Sequence, residues 1–311
     1  MSTQNVVLIL SCPTASGKTY VALQVAKELP VEILSADSRQ IFKYATIGTA
    51  KPSNEEVKAV PHHFIDLLAP DEQWNAGKFA QESRNTIQEI FRRQCVPFVV
   101  GGTGLYIKSL IDGIADIPEA DLELRQRLFR RYEKEGLQSL VNELKKVDRV
   151  AAESIDIQNP RRVLRALEIY YMTGMTRAEI EQQSNDPLQH RILWFGLHWE
   201  RDILYRRIEK RVDLMIQQGL IEEVKFLLEK GYTAESQALQ SVGYAEIIEY
   251  LQGRLSKQDA IDLIKQNTRR FAKRQMTWFR REKRIRWLDI RTEEDLDKAA
   301  VEITEEYRKI K

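Results

Sequence analysis

The 311-residue chain has few cysteines and histidines: Cys12, Cys95 and 4 His. Two thiols cannot complete a four-ligand zinc site, and so few in a chain this long fit a reducing compartment better than a disulfide scaffold. Long apolar runs are also missing. The longest near the start, Val6 to Leu10, falls far short of the roughly 20 residues that cross a bilayer. The residues before it carry no Lys or Arg and no cleavage pattern, so a cytoplasmic protein without a membrane segment is expected. Net charge is almost absent, since 48 Lys+Arg against 46 Asp+Glu leave +2. That excludes a histone-like polycation and an acidic chain, and leaves the question of partners to local clusters. What is present is ordinary globular material, 43% hydrophobic and 30% charged, in a length that suits about two domains.

The first hundred residues alternate short β-rich runs with helical ones, the pattern of a parallel sheet covered by helices. Strands are expected over Val6–Leu10, Val31–Ser35, Phe64–Leu67 and Pro97–Val100, with helices over Gly17–Glu28 and Gly77–Gln94. From about Pro118 to Pro187 the strand signals stop. Leu122–Glu135, Leu137–Lys146 and Pro160–Met172 read as helices, the last with Pro in its first turn, where a missing N–H costs nothing. Arg191–His198 resumes the strand pattern, followed by long helices over Asp202–Lys230 and Ser256–Glu282 and a final strand over Arg286–Ile290. The expected fold is α/β, a parallel sheet flanked by helices built from residues 1–117 and 188–311, with 118–187 inserted as an all-helical domain.

The segment Cys12-Pro13-Thr14-Ala15-Ser16-Gly17-Lys18-Thr19 follows the first strand and opens the first helix, the context a P-loop demands. In such a loop, backbone N–H groups and the helix N-terminus cradle a di- or triphosphate, Lys neutralises it and the Thr hydroxyl helps hold Mg²⁺. The expected core is thus P-loop NTPase-like. Cys12 occupies the first glycine position, where a residue needing positive φ would cost about 1 to 2 kcal/mol. A second cluster, Gly101-Gly102-Thr103-Gly104, also lies between strand and helix, so Thr103 can face phosphates held by Lys18 if the two strands are neighbours; a purely structural turn is the alternative. No Asp ends that second strand, which argues against an ordinary hydrolase. Asp37, with Ser38, Arg39 and Gln40 behind it, follows the second strand at the same edge, where a carboxylate can hold Mg²⁺, accept a proton or simply cap a turn.

Arg269 to Arg286 is the strongest charge signal, 9 of its 18 residues being Lys or Arg. On an ideal helix Arg269, Arg270, Lys273, Arg274, Arg280 and Arg281 share one face, with Ile264, Phe271, Gln275, Trp278 and Phe279 opposite. A buried seat beneath a nucleic-acid phosphate track fits that division; a solvated face answered by the acidic tail Asp289 to Glu306 is the other reading. His62-His63 lacks companion ligands and reads as structural.

Taken together and in order, these motifs resemble the tRNA dimethylallyltransferases, also called tRNA isopentenyltransferases. The resemblance runs through Pro13–Thr19, Asp37–Ile41, Ile47–Pro52, His62-His63 with Ile65-Asp66, Gly101–Tyr106, Pro160–Glu168, Val242–Tyr244 and Lys273–Trp278. Cys12 for the usual Gly and Phe42 for the usual Tyr depart from the family pattern. The chain is similar to the shorter bacterial form, without the zinc finger of eukaryotic members. The resemblance implies transfer of a dimethylallyl group from dimethylallyl diphosphate, with Mg²⁺, to N6 of the adenosine on the 3′ side of the anticodon. It implies catalytic roles for Lys18, Asp37, Thr103 and Arg125, and a diphosphate cradle at 12–19 with Thr19 toward the metal. It assigns tRNA contacts to Asp37–Gln40, Thr103, Arg125 and the helical insertion at Arg161, Arg162, Val163, Leu164 and Arg165. Further contacts fall at Gln240, Ser241, Val242, Gly243, Tyr244 and Ala245, and at Lys273, Arg274, Gln275, Met276, Thr277, Trp278, Phe279 and Arg280. A monomer is expected. Adenylate dimethylallyl transfer, a P-loop nucleotide kinase and a non-catalytic RNA-binding module remain the alternatives.

Overall fold

The computed structural model describes residues 5–113, 121–183 and 186–310. The chain opens with strand β1 (Val6–Ser11), helix α1 (Lys18–Glu28), β2 (Val31–Ser35), α2 (Asn54–Ala59), β3 (His62–His63), α3 (Ala76–Arg92), β4 (Val96–Gly101) and α4 (Gly104–Asp112). Five helices follow, α5 (Leu122–Glu135), α6 (Leu137–Val147), α7 (Arg149–Ser154), α8 (Pro160–Thr173) and α9 (Arg177–Gln183). The chain then returns through β5 (Arg191–Trp199), α10 (Arg201–Gln217), α11 (Leu220–Glu229), α12 (Tyr244–Leu251), α13 (Lys257–Phe279), β6 (Arg286–Ile290) and α14 (Glu294–Arg308).

All six strands lie in one parallel sheet in the order β3-β2-β4-β1-β5-β6. β1 and β4 are buried along their whole lengths, which is why both read as continuous apolar runs rather than alternating ones. α1 seats Val21, Ala22 and Val25 in the same core. Because β4 lies between β1 and β2, the loops after β1, β2 and β4 emerge side by side at the carboxyl edge, where open α/β sheets bind ligands.

The chain divides into two compact units, residues 1–108 with 189–311, and residues 109–188. The second unit has its own core, built from Leu124, Leu128, Leu140, Val141, Leu144, Val163 and Leu167. The Pro118 start expected for the helical insertion lies outside the described residues.

Three expected elements are corrected. Phe64–Leu67 is not a strand; the pairing ends at His63. Phe64 (φ 65°) and Asp66 (φ 55°) adopt left-handed backbone, which extended pairing does not tolerate. The long helix over Asp202–Lys230 is two helices, broken where Gly219 turns with φ 100°. The helix from Ser256 stops at Phe279 instead of Glu282, with Ser256 capping its start. The acidic tail contributes β6 and a helix, α14, that packs on α1.

Candidate active site and nucleic-acid surface

The loop after β1 is held from behind through its carbonyls. The Trp199 indole N–H donates to the Ser16 carbonyl at 2.9 Å, and Arg207 Nε donates to that of Ala15 at 2.8 Å while its guanidinium lies 4.4 Å above the Trp199 ring. Arg211 reaches the Thr14 hydroxyl at 3.2 Å. Among the described residues, the N–H groups of Ala15 to Thr19 meet no protein acceptor, which leaves them for an anion. Left-handed backbone falls at Ala15 (φ 63°) and Gly17 (φ 89°), not at Cys12, so Cys12 in the glycine position carries no backbone strain. Its side chain is fully buried and burial pushes the thiol pKa up. It packs, and the cavity does not see it.

In front of the loop lies a cavity of about 680 Å³ lined by Ala15 to Thr19, by Thr46 to Ser53 in part, and by Arg207, Lys210, Arg211, Leu214 and Met215 of α10. Its carboxylates are already committed: Glu56 accepts from the Ser53 N–H at 2.7 Å, and Glu293 pairs with Arg207. Lys51 is similarly tied to Asp66 at 2.6 Å. Lys18, Lys210 and Arg211 therefore leave the cavity cationic. Burial pulls the pKa of Lys18 down, against the nearby Cys12 and Asp37, and does the same to Arg211. Neutralising an anion is the arrangement that offsets such desolvation.

The neighbouring loop after β2 presents Asp37. Its Oδ1 accepts the Arg39 N–H at 2.9 Å, a turn that leaves the other oxygen uncommitted to the backbone. Thr103 lies against this loop, accepting the Ser38 N–H on its hydroxyl at 3.0 Å and donating its own N–H to the Ala36 carbonyl at 3.0 Å. The second glycine cluster exists for close approach. A Cβ on Gly101 would stand 2.1 Å from the Ala36 carbonyl oxygen, one on Gly102 2.4 Å from Gln275 Nε2, and one on Gly104 2.3 Å from the Trp278 ring.

The sheet edge thus gathers Lys18, Asp37 and Thr103. Arg125 lies in the helical unit, where it and Arg165 each stand 3.1 Å from the buried Glu168 carboxylate. With Phe129, Tyr132, Pro160 and Arg161 they line a second cavity, of about 750 Å³. Arg161 and Arg162 are exposed, whereas Val163 belongs to that unit's core. In the segment 240–245, Gln240 and Ala245 are exposed. Tyr244 is fully buried and donates its hydroxyl to Glu223 at 2.6 Å. That carboxylate also takes the N–H groups of Thr46, Ile47 and Gly48, bracing one wall of the cavity in front of the loop. Gln40 is buried, bonded to Ser35 at 2.8 Å and to the Ala50 carbonyl at 3.1 Å. His63 is structural, 2.8 Å from the buried Glu32, which Arg93 also clasps.

Along α13 the two faces separate as their charges require, with amendments. Arg270, Lys273, Arg274 and Arg280 are exposed. Arg269 is engaged by Glu209 at 2.6 Å and Lys265 by Asp213 at 2.6 Å, so α10 supplies these carboxylates, whereas the acidic tail pairs Glu306 with Arg286 at the far end of the basic run. Phe271, expected in the buried stripe, is 39% exposed and carries the Arg274 guanidinium 5.9 Å from its centroid. Ala260, Ile264, Ala272, Gln275 and Phe279 form the buried stripe instead. Arg281 lies beyond the helix end.

Sequence reasoning passed over Arg207, Lys210 and Arg211. Their spacing of three and four places them on one helical face, a legible signal, but only the tertiary structure points that face at the loop. The helical wheel put Gln275 on the face opposite the cations, and the resemblance counted it among tRNA contacts; neither gave its partners.

A parallel sheet, a glycine- and lysine-bearing turn into a helix, and free N–H groups converging with cations on one cavity define a P-loop-type α/β phosphate-binding enzyme. Residues 40–282 match the family model described as IPP transferase, and the chain belongs to that family. It is 44% identical over 284 residues to "tRNA dimethylallyltransferase 1" of Syntrophotalea carbinolica, covering 91% of this chain and 90% of the relative. To the tRNA dimethylallyltransferase of Pelotomaculum thermopropionicum it is 44% identical over 300 residues, covering 95% and 94%. Among solved structures it resembles the full-length tRNA isopentenylpyrophosphate transferase of Bacillus halodurans with a TM-score of 0.72 at 38% identity, covering 99% of this chain and 96% of that one. A eukaryotic dimethylallyltransferase captured acting on tRNA matches with a TM-score of 0.80 at 28% identity, covering 98% and 78%.

Proposed function

We propose that the chain transfers the dimethylallyl group of dimethylallyl diphosphate to N6 of the adenosine 3′-adjacent to the anticodon of tRNA, giving N6-isopentenyladenosine. The observation that carries this reading is the placement of a cationic, N–H-lined phosphate cavity and an available carboxylate on loops of neighbouring parallel strands. Relatives bearing the name tRNA dimethylallyltransferase favour it over adenylate transfer or phosphate transfer. In the step proposed, the allylic C–O bond breaks with its electron pair going to the diphosphate, and the N6 lone pair forms the new C–N bond. The N6 proton passes to the Asp37 carboxylate. The loop N–H groups, Lys18 and Arg211 stabilise the leaving diphosphate where charge develops. Thr103 fixes the backbone on either side of Asp37.

Thr19 lines the cavity, where its hydroxyl would help hold Mg²⁺ together with substrate phosphates and water. When bound, the ion supplies further positive charge to the diphosphate oxygens. On the RNA side, Lys273, Arg274 and Arg280 with Arg270 track phosphates, and Arg161, Arg162 and Arg165 of the helical unit grip the anticodon stem-loop. The RNA contacts offset the few kcal/mol needed to unstack the target base. The proposed setting is a cytoplasmic monomer; among the described residues no helix is long and apolar enough to cross a membrane.

The test is incubation with labelled dimethylallyl diphosphate and Mg²⁺ in the presence of unmodified tRNA or AMP, followed by nucleoside mass analysis. A prenyl increment on tRNA adenosine supports the reading. Label in AMP alone, or in neither, overturns it.

A further inference from the structure

Gln275 is the one residue of the cationic helix α13 whose polar end turns wholly inward: it is 9% exposed. Its Oε1 accepts the Thr14 N–H at 2.9 Å and its Nε2 donates to the Gly102 carbonyl at 2.8 Å. The amide orientation is forced, because one partner can only donate and the other only accept. The side chain therefore ties the loop after β1 to the loop after β4, reinforcing a longer backbone bond, 3.4 Å, from the Cys12 N–H to the Gly101 carbonyl. The connection continues. Thr103, adjacent to Gly102, bonds both Ala36 and Ser38, the residues on either side of Asp37. A path of hydrogen bonds thus runs from the diphosphate loop through Gln275 to the carboxylate loop.

We propose that Gln275 is a positioning residue for transfer, setting the separation between the diphosphate cradle and the Asp37 carboxylate without touching either substrate. This rests on the roles given above to Lys18 and Asp37. The Thr14 N–H is spent on Gln275, so the phosphate-facing amides begin at Ala15. Glu in its place keeps the acceptor and loses the donor, Asn is one methylene too short to span both loops, and Met fills the space with neither bond. The cradle N–H groups and cations, and the exposed cations of α13, stay in place in the Met and Asn variants, so substrate binding survives in these two while alignment does not; Glu also sets a negative charge against the Gly102 carbonyl and beside the cradle. Misplacement of reacting groups by about 1 Å costs on the order of 100-fold in rate.

The experiment measures kcat and both KM values for the full chain and for Gln275→Met, Gln275→Glu and Gln275→Asn, with inorganic diphosphate affinity and circular dichroism for each. Expected is a kcat loss of about 100-fold in Gln275→Met and a comparable loss in Gln275→Asn, with KM values close to those of the parent and unchanged diphosphate affinity in both; Gln275→Glu is expected to lose kcat and to bind diphosphate more weakly as well. If the Met variant does not fold, the same split is read on the Asn variant. A parent-like kcat in the folded variants overturns the inference, as does a raised KM for dimethylallyl diphosphate at unchanged kcat, which would place Gln275 in the anion cradle. Failure of the parent protein itself to prenylate tRNA would instead refute the underlying reading.

Discussion

Replacing Asp37 by Asn separates its proposed chemistry from its structural duty. The Asn oxygen can still accept the Arg39 N–H that Oδ1 takes at 2.9 Å, so the turn after β2 persists and Thr103 keeps its bonds to either side. What is lost is a group able to take the N6 proton. General-base assistance contributes about 10² to 10⁴ in rate, or roughly 3 to 5 kcal/mol of barrier. A second consequence follows from charge. Asp37 favours the charged forms of Lys18, Arg39 and Arg211, so removing its charge leaves the diphosphate cavity more positive. Dimethylallyl diphosphate and the diphosphate product are then expected to bind more tightly, and slower product release would contaminate steady-state rates. The assay is therefore a single turnover at saturating tRNA and donor, quenched and digested to nucleosides. A fall of two to four orders of magnitude with an unchanged or lowered KM for the donor is the expected outcome. A single-turnover rate within about tenfold of the parent would remove Asp37 as the base.

Reversing Arg270 and Arg274 to Glu should weaken tRNA binding and reduce the slope of log affinity against log salt by about 1 to 2; an unchanged slope would make that face ordinary surface. Lys18 titrates below the ordinary lysine value of 10.5 because it is buried. Since the diphosphate needs its positive form, KM for the donor should rise as pH climbs through that lowered value, and Lys18→Ala should start high and stay flat. A parent profile level up to pH 10.5 would contradict this. Leu144 is completely buried in the helical unit, and Leu144→Ala should cost about 3 kcal/mol in urea unfolding. A loss below about 1 kcal/mol would mean the cavity closes by relaxation.

Where local pattern and tertiary demand agree, the elements were legible. β2, β6 and α5 stand at the residues their periodicity marks, because a buried strand and an amphipathic helix each announce the face they hide. The order of strand, glycine-lysine turn and helix between β1 and α1 was legible in the same way. The failures share a cause. Phe64–Leu67 is apolar enough for a strand, but its φ values answer to the packing of Phe64 against Trp74 and Phe79. Phe271 was placed inside because an ideal wheel of about 100° per residue sets it opposite the cations. The interior took Ala272 instead, as part of the main core.

The sequence by itself determined the α/β class, the glycine- and lysine-bearing turn after β1, the carboxylate that follows β2 and the cationic helix, since each depends on residues close together in the chain. Tertiary structure alone decided which strands are neighbours, and hence that Lys18, Asp37 and Thr103 share an edge. It alone turned the α10 cations toward the loop and gave Gln275 its partners on two loops. Those choices depend on contacts between residues far apart in sequence, such as Thr14 with Gln275, and no local periodicity encodes a partner that distant.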